Sequence, residues 1–180
     1  EGGFLRRERE TIAKIVSLND TATLRITHAV LERRKVDARF YLLFVSSLAS
    51  MFPMPLKATY AASKRFLFDF ALALRQELKS QNASVTVLCP GGLATTDEAM
   101  SGIAAQGFWG TVTTNRLEKV ARKTVEALRC GKAVYIPGTV NRSFAFLGAI
   151  VPRTAVTAVV YHRFANAQQA WLETGATGKL

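Results

Sequence analysis

Phe40-Tyr-Leu-Leu-Phe-Val45 is a continuous apolar run rich in aromatic residues, and it empties into Ser46-Ser47 and a loop broken by Pro53 and Pro55. Unbroken rather than alternating apolarity predicts a strand buried on both faces, as in a parallel sheet. Helical patterns lie on either side of it. Upstream, Ile12, Ile15, Val16, Ala22, Ile26, Ala29 and Val30 recur at helical intervals between about Glu8 and Arg34. Arg33-Arg34-Lys35 closes that helix, where the macrodipole favours cations. Downstream, a second helix is expected from about Thr59 to Ser80, carrying Phe66, Phe68, Phe70, Leu72, Leu74 and Leu78.

The alternation continues. Val85-Thr-Val-Leu-Cys89 reads as a second buried strand, stopped by Pro90-Gly91-Gly92. Ala94 to Thr113 is rich in small and flexible residues and poor in apolar anchors, which predicts a mobile loop. A third helix is expected over about Asn115–Arg129, ended by Gly131. Ala133–Ile136 reads as a short strand closed by Pro137-Gly138, and the tail as two helical pieces broken at Pro152. Helix and strand in turn predict an α/β fold with a doubly wound parallel sheet, a three-layer α/β/α arrangement.

Composition narrows the function. Twenty-four Lys and Arg against thirteen Asp and Glu leave 180 residues at +11, with 49% apolar residues, which is globular rather than disordered. Cys89 and Cys130 form no paired spacing, and His28 and His162 stand far apart, so neither a disulfide scaffold nor a local metal motif is expected. A reducing cytoplasm is the expected compartment. Glu1 to Lys14 has no apolar core of a signal peptide. The longest apolar stretch, Phe144–Val151, is well short of the ~20 residues of a membrane span. The basic residues are scattered, with no nucleic-acid recognition motif beside them, so a solvated surface is the preferred reading.

Chemistry is concentrated in Ser46-Ser47, twelve residues, then Tyr60-Ala-Ala-Ser-Lys64. Tyr60 and Lys64 are four apart at the start of a helix and project from one face. An ammonium beside a phenol favours the phenolate, which suits Tyr60 to give or take a proton near neutral pH. Ser47 leaves the carboxyl end of the buried strand, where open α/β sheets hold ligands. Its hydroxyl is placed to bond the same oxygen to which Tyr60 gives its proton.

This stretch resembles the short-chain dehydrogenase/reductase family, whose active site is a Ser, a Tyr and a Lys in a YxxxK pattern; Tyr-Ala-Ala-Ser-Lys, the serine interval and the Pro-Gly after the next strand carry the likeness. The resemblance implies a Rossmann-like domain and an NAD(P)-dependent oxidoreductase interconverting a carbonyl and an alcohol. It implies catalytic roles for Asn19, Ser47, Tyr60 and Lys64, with Asn19 matching a helix asparagine that supports a water beside the lysine. It also implies cofactor contacts at Tyr60, Lys64, Pro90, Gly91, Leu93 and Thr95, from the PGxxxT-like Pro90–Thr95, with NADP placed ahead of NAD. No metal is implied. Expected partners are a small carbonyl or alcohol substrate and further copies of the chain in a homo-oligomer, a dimer or tetramer.

Phe44 and Ser50 depart from common family residues. The larger departure is at the front: TGxxxGxG, the ribose-reading residue and NNAG have no counterpart, which amounts to roughly 90 residues at about 30 per βα unit. The likeness therefore divides the chain into 1–138, the later half of a Rossmann-like domain truncated at its N-terminus, and 139–180, a helical tail of the same domain. These residues alone are not expected to hold a whole dinucleotide. The rival reading is a non-catalytic, cofactor-less fragment or dimerisation module.

The remaining polar and aromatic residues have plainer readings. His28 is expected to be partly exposed or capping, and Cys89 small and buried. Phe108 and Trp109 are expected either to staple the loop or to line a substrate pocket. The apolar, basic tail from Phe144 to Trp171 is expected to close the domain or form a subunit interface in preference to lying on an anionic membrane.

Overall fold

A computed structural model describes residues 3–162 and 165. Helix α1 (Arg9–Val16) passes through a π turn at Ser17–Thr21 into α2 (Ala22–Arg33). The expected long helix is therefore present, with an extra residue wound into its middle. That residue turns the downstream face. Asn19 and Asp20, adjacent in sequence, are both half-buried, and Thr27 is buried. Ile26 and Val30, two residues of the periodic apolar set, are left 63% and 42% exposed.

Strand β1 (Phe40–Val45) is followed by α3 (Ala58–Glu77), β2 (Ala83–Leu88), α4 (Asp97–Ala105), α5 (Gly107–Thr113), α6 (Leu117–Arg129), β3 (Val134–Tyr135) and α7 (Thr139–Ile150). The three strands form one parallel sheet in the order β1-β2-β3, with Phe40 opposite Ala83 and Val87 opposite Val134. Parallel neighbours require helical crossovers, and these give the sheet its layers. Val85, Val87 and Cys89 pack with Ala71 and Leu74 of α3 and with Leu78 at its C-terminal end. The other face of β2, Ser84, Thr86 and Leu88, is buried as well. Gly131, which ends α6, lies against Ser84 there, so α6 covers this second face. The fold is the expected Rossmann-like α/β arrangement.

Two local expectations are corrected. Strand β1 alternates instead of being buried throughout. Phe44 is buried in the α3 core, whereas Tyr41, Leu43 and Val45 are 37%, 38% and 51% exposed, because β1 is the edge of this sheet and α6 only partly covers its second face. Ala94–Thr113 is not one loop, for α4 and α5 occupy most of it. Thr96 caps α4 by accepting a hydrogen bond from the Ala99 N–H at 3.1 Å. Gly110 is there for close packing and not for looseness, since a Cβ on it would lie 2.1 Å from the Ile103 carbonyl oxygen.

Helix α7 packs onto this body through Gly148, where a Cβ would lie 2.9 Å from the Phe52 ring. After Pro152 the backbone is helical again over 153–162; the rest of the tail, apart from 165, lies outside the described residues. Among the described residues no helix is long and apolar enough to cross a membrane. His28 is exposed and within 3.4 Å of Glu32, as expected for a solvated histidine.

Candidate active site

Both walls of the site are segments that leave the carboxyl ends of neighbouring parallel strands. The first begins at Val45. Buried Ser46 turns back, and its Oγ donates to the Lys64 carbonyl at 2.7 Å. Ser47 caps the turn of 3-10 helix at Leu48–Ser50, its Oγ accepting from the Ala49 N–H at 3.2 Å. A hydroxyl used as an acceptor keeps its own proton to donate elsewhere. The chain then passes Leu56 in the left-handed region, at φ 65°, and enters α3.

Tyr60 stands in the first turn of α3, half-buried and on the cavity wall. One turn later the Lys64 ammonium lies 5.8 Å from the Tyr60 ring centre and donates to the Val45 carbonyl at 3.1 Å. The end of β1 is therefore clipped to α3 twice. Asn19 Nδ2 donates to Ser63 Oγ at 2.9 Å, and Ser63 Oγ donates to the Tyr60 carbonyl at 2.9 Å. Asn19 thus reaches α3 one residue from Lys64.

Beside it is a residue that the sequence reading passed over. Asp20 Oδ1 is buried, with no hydrogen-bond partner among the described residues. Burial pushes its carboxyl above the ordinary carboxylate range, opposed by attraction to Lys64. Lys64 shows the reciprocal effect: burial lowers it below the ordinary lysine value, and Asp20 opposes the fall. A signal existed, in that two consecutive polar residues, Asn19-Asp20, interrupt an otherwise apolar helical face.

The second wall leaves β2 through Cys89 and Pro90. The Leu48 N–H donates to the Pro90 carbonyl at 2.8 Å, which ties the walls together. Gly91 has no room for a side chain, because a Cβ would lie 2.2 Å from the Thr113 carbonyl oxygen and 2.7 Å from Asn141 Nδ2. Asn141, almost fully buried, donates to the Pro137 and Thr113 carbonyls at 2.8 and 3.1 Å. Leu93 lines the cavity. Thr95 is exposed and its neighbour Thr96 lines the cavity instead. Burial pushes the Cys89 thiol up to about 11, opposed by the nearby Ser50 and Ser46 hydroxyls, which fits an unreactive core thiol.

Between the walls is a cavity of about 650 Å³, within the ~300–1,000 Å³ of small-molecule sites. Ser47, Tyr60, Gly91 and Leu93 line it, together with apolar residues of α7 such as Phe144 and Leu147. Trp109 packs on Phe144 and edge-on against Phe108, which is 72% exposed; neither Phe108 nor Trp109 lines the cavity, so the pocket-lining expectation is not met. Lys64 stands behind Tyr60, outside the lining. No cluster of His, Cys, Asp or Glu able to hold a metal is present among the described residues.

The parallel sheet thus gathers Ser47, Tyr60 and Lys64 at the carboxyl end of its first strand. The sequence profile of the short chain dehydrogenase family matches residues 1–107, and the chain belongs to that family. It is similar to a very-long-chain 3-oxoacyl-CoA reductase of Laccaria bicolor, 39% identical over 82 residues, or 46% of this chain and 24% of that protein. It is also similar to the human 17-beta-hydroxysteroid dehydrogenase type 3, at 30% over 86 residues, 48% of this chain and 28% of that protein. The matched region thus spans about a quarter of these relatives' own length. Among solved structures, a 7beta-hydroxysteroid dehydrogenase superposes at a TM-score of 0.75 and 20% identity, covering 88% of this chain and 62% of the other. The 3-ketoacyl-(acyl-carrier-protein) reductase of Brucella melitensis, solved with NADH, superposes at 0.61 and 18% identity, covering 76% and 60%. These two likenesses concern the fold.

Proposed function

We propose that this chain carries the carbonyl-handling part of an NAD(P)-dependent oxidoreductase that interconverts a carbonyl and an alcohol. The observation that supports it most is the placing of Ser47 and Tyr60 on one wall of the cavity, with the Lys64 ammonium one helical turn behind the phenol. The donor set fits the nicotinamide-ribose end of such a cofactor. Among the described residues Lys64 makes one hydrogen bond, to Val45, and an ammonium has three protons to give. Lys64 would hold the ribose hydroxyls, while the Pro90–Thr95 segment, with Gly91 and Leu93 on the cavity, would flank the ring. The chemistry such a cofactor would supply there is hydride transfer to or from the carbon that bears the oxygen.

The chain's own residues handle the oxygen. Ser47 Oγ donates to the substrate carbonyl and orients it. Tyr60 gives its proton to that oxygen in reduction and takes it back in oxidation. Lys64 favours the phenolate that results. Asn19 anchors the π turn to Ser63 and supports a water beside Lys64 for proton exchange with solvent. Residues 1–138 and the described part of 139–180 act as one unit in this reading, because Asn141 ties α7 to Pro137 and to Thr113, which packs against the second wall. A homo-oligomer is consistent with the exposed apolar residues Leu24, Ile26 and Phe66 on α2 and α3. The cytoplasm is the proposed compartment, and the choice between NADP and NAD belongs to residues outside this site.

The test removes one oxygen. Tyr60→Phe in the full-length enzyme keeps the ring and should lower carbonyl-dependent oxidation of NADPH or NADH by about 10²–10⁴-fold, with circular dichroism and melting temperature unchanged. Turnover within tenfold of the parent, with chemistry limiting the rate, would assign the proton to another group.

A further inference from the structure

Helix α7 turns three faces in three directions. Asn141, Ala145 and Gly148 recur at helical spacing and are buried against the domain. Phe144 and Leu147 line the cavity. Arg142, Phe146 and Ile150 form a third stripe, one helical turn between each, that does neither. All three are off the cavity lining and exposed, Phe146 at 66% and Ile150 at 63%. Closing of the domain, as expected of this segment, is therefore the work of two faces, and the outer one is left over. It has apolar company. Trp109 packs on Phe144 at 5.6 Å, which sets α5 beside α7, and Phe108 next to it is exposed and off the lining. Beyond Pro152, Arg153 and Tyr161 are likewise exposed and off the lining. Outward apolar side chains gathered on neighbouring helices mark an interaction surface.

Charge decides what covers it. Residues 99–117 and 127–172, which include α5, α7 and the helical backbone after Pro152, contain no Asp or Glu. A second copy meeting this face with its own would set Arg142 and Arg153 against like charges, with no carboxylate to answer them. An anionic phospholipid surface supplies what the face lacks: headgroup phosphates that match the guanidinium forks, and an apolar layer for Phe146 and Ile150. No described helix is long and apolar enough to span, and the chain is broken at Pro152, so the two helical pieces suit the plane of the interface. We propose that the outer face of α7, carrying Arg142, Phe146 and Ile150, docks this chain on an anionic phospholipid surface, with Arg153 and Phe108 beside it. None of these side chains lines the cavity, so the docking is independent of the oxidoreductase chemistry.

Co-flotation of the full chain with vesicles tests this. Vesicles of phosphatidylcholine containing phosphatidylserine should bind the protein about tenfold more tightly than pure phosphatidylcholine, and added salt should narrow the gap. Arg142→Gln and Arg153→Gln should each weaken binding to the anionic vesicles about fivefold. Phe146→Ser combined with Ile150→Ser should abolish flotation with an unchanged melting temperature, because both side chains are exposed. Tyr60→Phe should float like the parent, which separates this surface from the fate of the catalytic reading. Failure of the parent to float, equal binding to the two kinds of vesicle, or undiminished flotation of the Phe146→Ser, Ile150→Ser variant each overturns the assignment. A parent that stays off vesicles but forms a dimer by analytical ultracentrifugation, lost in that double variant, would give the face to a second copy and overturn it as well. The comparison of vesicles with the parent chain needs no variant, so a poorly folding one does not protect the idea.

Discussion

The two walls of the cavity leave adjacent parallel strands and are held by opposite means. The wall after β1 is fastened by polar groups: Ser46 and Lys64 bond backbone carbonyls across the strand–helix junction, and Ser63 joins the π turn to the first turn of α3. The wall after β2 is fastened by the absence of side chains. Gly91 and Gly92 let the segment lie against Thr113 and Thr114, and Asn141 locks the contact from α7. The first scheme leaves reactive protons pointing into a cavity while their neighbours are satisfied. The second presents backbone, packed too closely for side chains at Gly91 and Gly92. Chemistry is therefore expected to be sensitive on the first wall and folding on the second.

The comparison is broken most readily at Gly91. Gly91→Ala places a methyl 2.2 Å from the Thr113 carbonyl oxygen, which is backbone and cannot swing aside. The expected cost is about 1–3 kcal/mol of stability, the range for overpacking, read as a lower denaturant midpoint with unchanged slope. A variant as stable as the parent would mean that α5 shifts freely and that this wall is not set by close packing.

The walls also differ in how far they could be read in advance. Tyr60, Lys64 and Ser47 stand out because their functional groups lie at a spacing that a helix and a strand end translate directly into proximity. Gly91 and Gly92 look like any turn, and Gly110 looked like part of a loose segment, because sequence does not distinguish a glycine kept for flexibility from one kept for contact. Asn141 is invisible for a related reason, since its bonds run to carbonyls 28 and 4 residues away. In β1 the apolar run was read correctly as strand and wrongly as covered throughout, since hydrophobicity reports what a residue prefers and not whether the sheet continues beside it. The π turn is the subtlest case. It adds one residue to a helix of unremarkable composition, and this one residue brings both Asn19 and Asp20 inward.

A smaller effect is expected on the polar wall. Ser46→Ala removes the hydroxyl that donates to the Lys64 carbonyl, a group that also lies in the backbone of α3. The change in stability should be about 1 kcal/mol, as for one ordinary hydrogen bond, or about 2–4 °C in melting temperature. The catalytic constant should fall more than stability accounts for, because the clip sets where Lys64 begins. Equal losses of activity and stability would reduce Ser46 to packing, and the contrast between the walls would go with it.

The finest test concerns Asp20, whose charge acts on the ammonium from behind. Burial disfavours the charged form of Lys64, and Asp20 opposes it. Removing the negative charge in Asp20→Asn, at nearly constant volume, takes away the opposing influence, so Lys64 must titrate at a lower pH than in the parent. Any activity that needs the ammonium then loses its alkaline limb earlier. The sign for stability follows from the same shift. With its folded-state value below the unfolded one, Lys64 binds fewer protons in the native state across that interval, so its contribution becomes more favourable as pH rises through it and less favourable as pH falls. Asp20→Asn widens the interval at its lower end. The ε-carbon resonance of Lys64, followed by ¹³C NMR against pH, reports the group directly and needs no substrate. A titration in Asp20→Asn that coincides with the parent's, or moves upward, would show that the carboxylate does not govern this ammonium and that the π turn serves Asn19 alone.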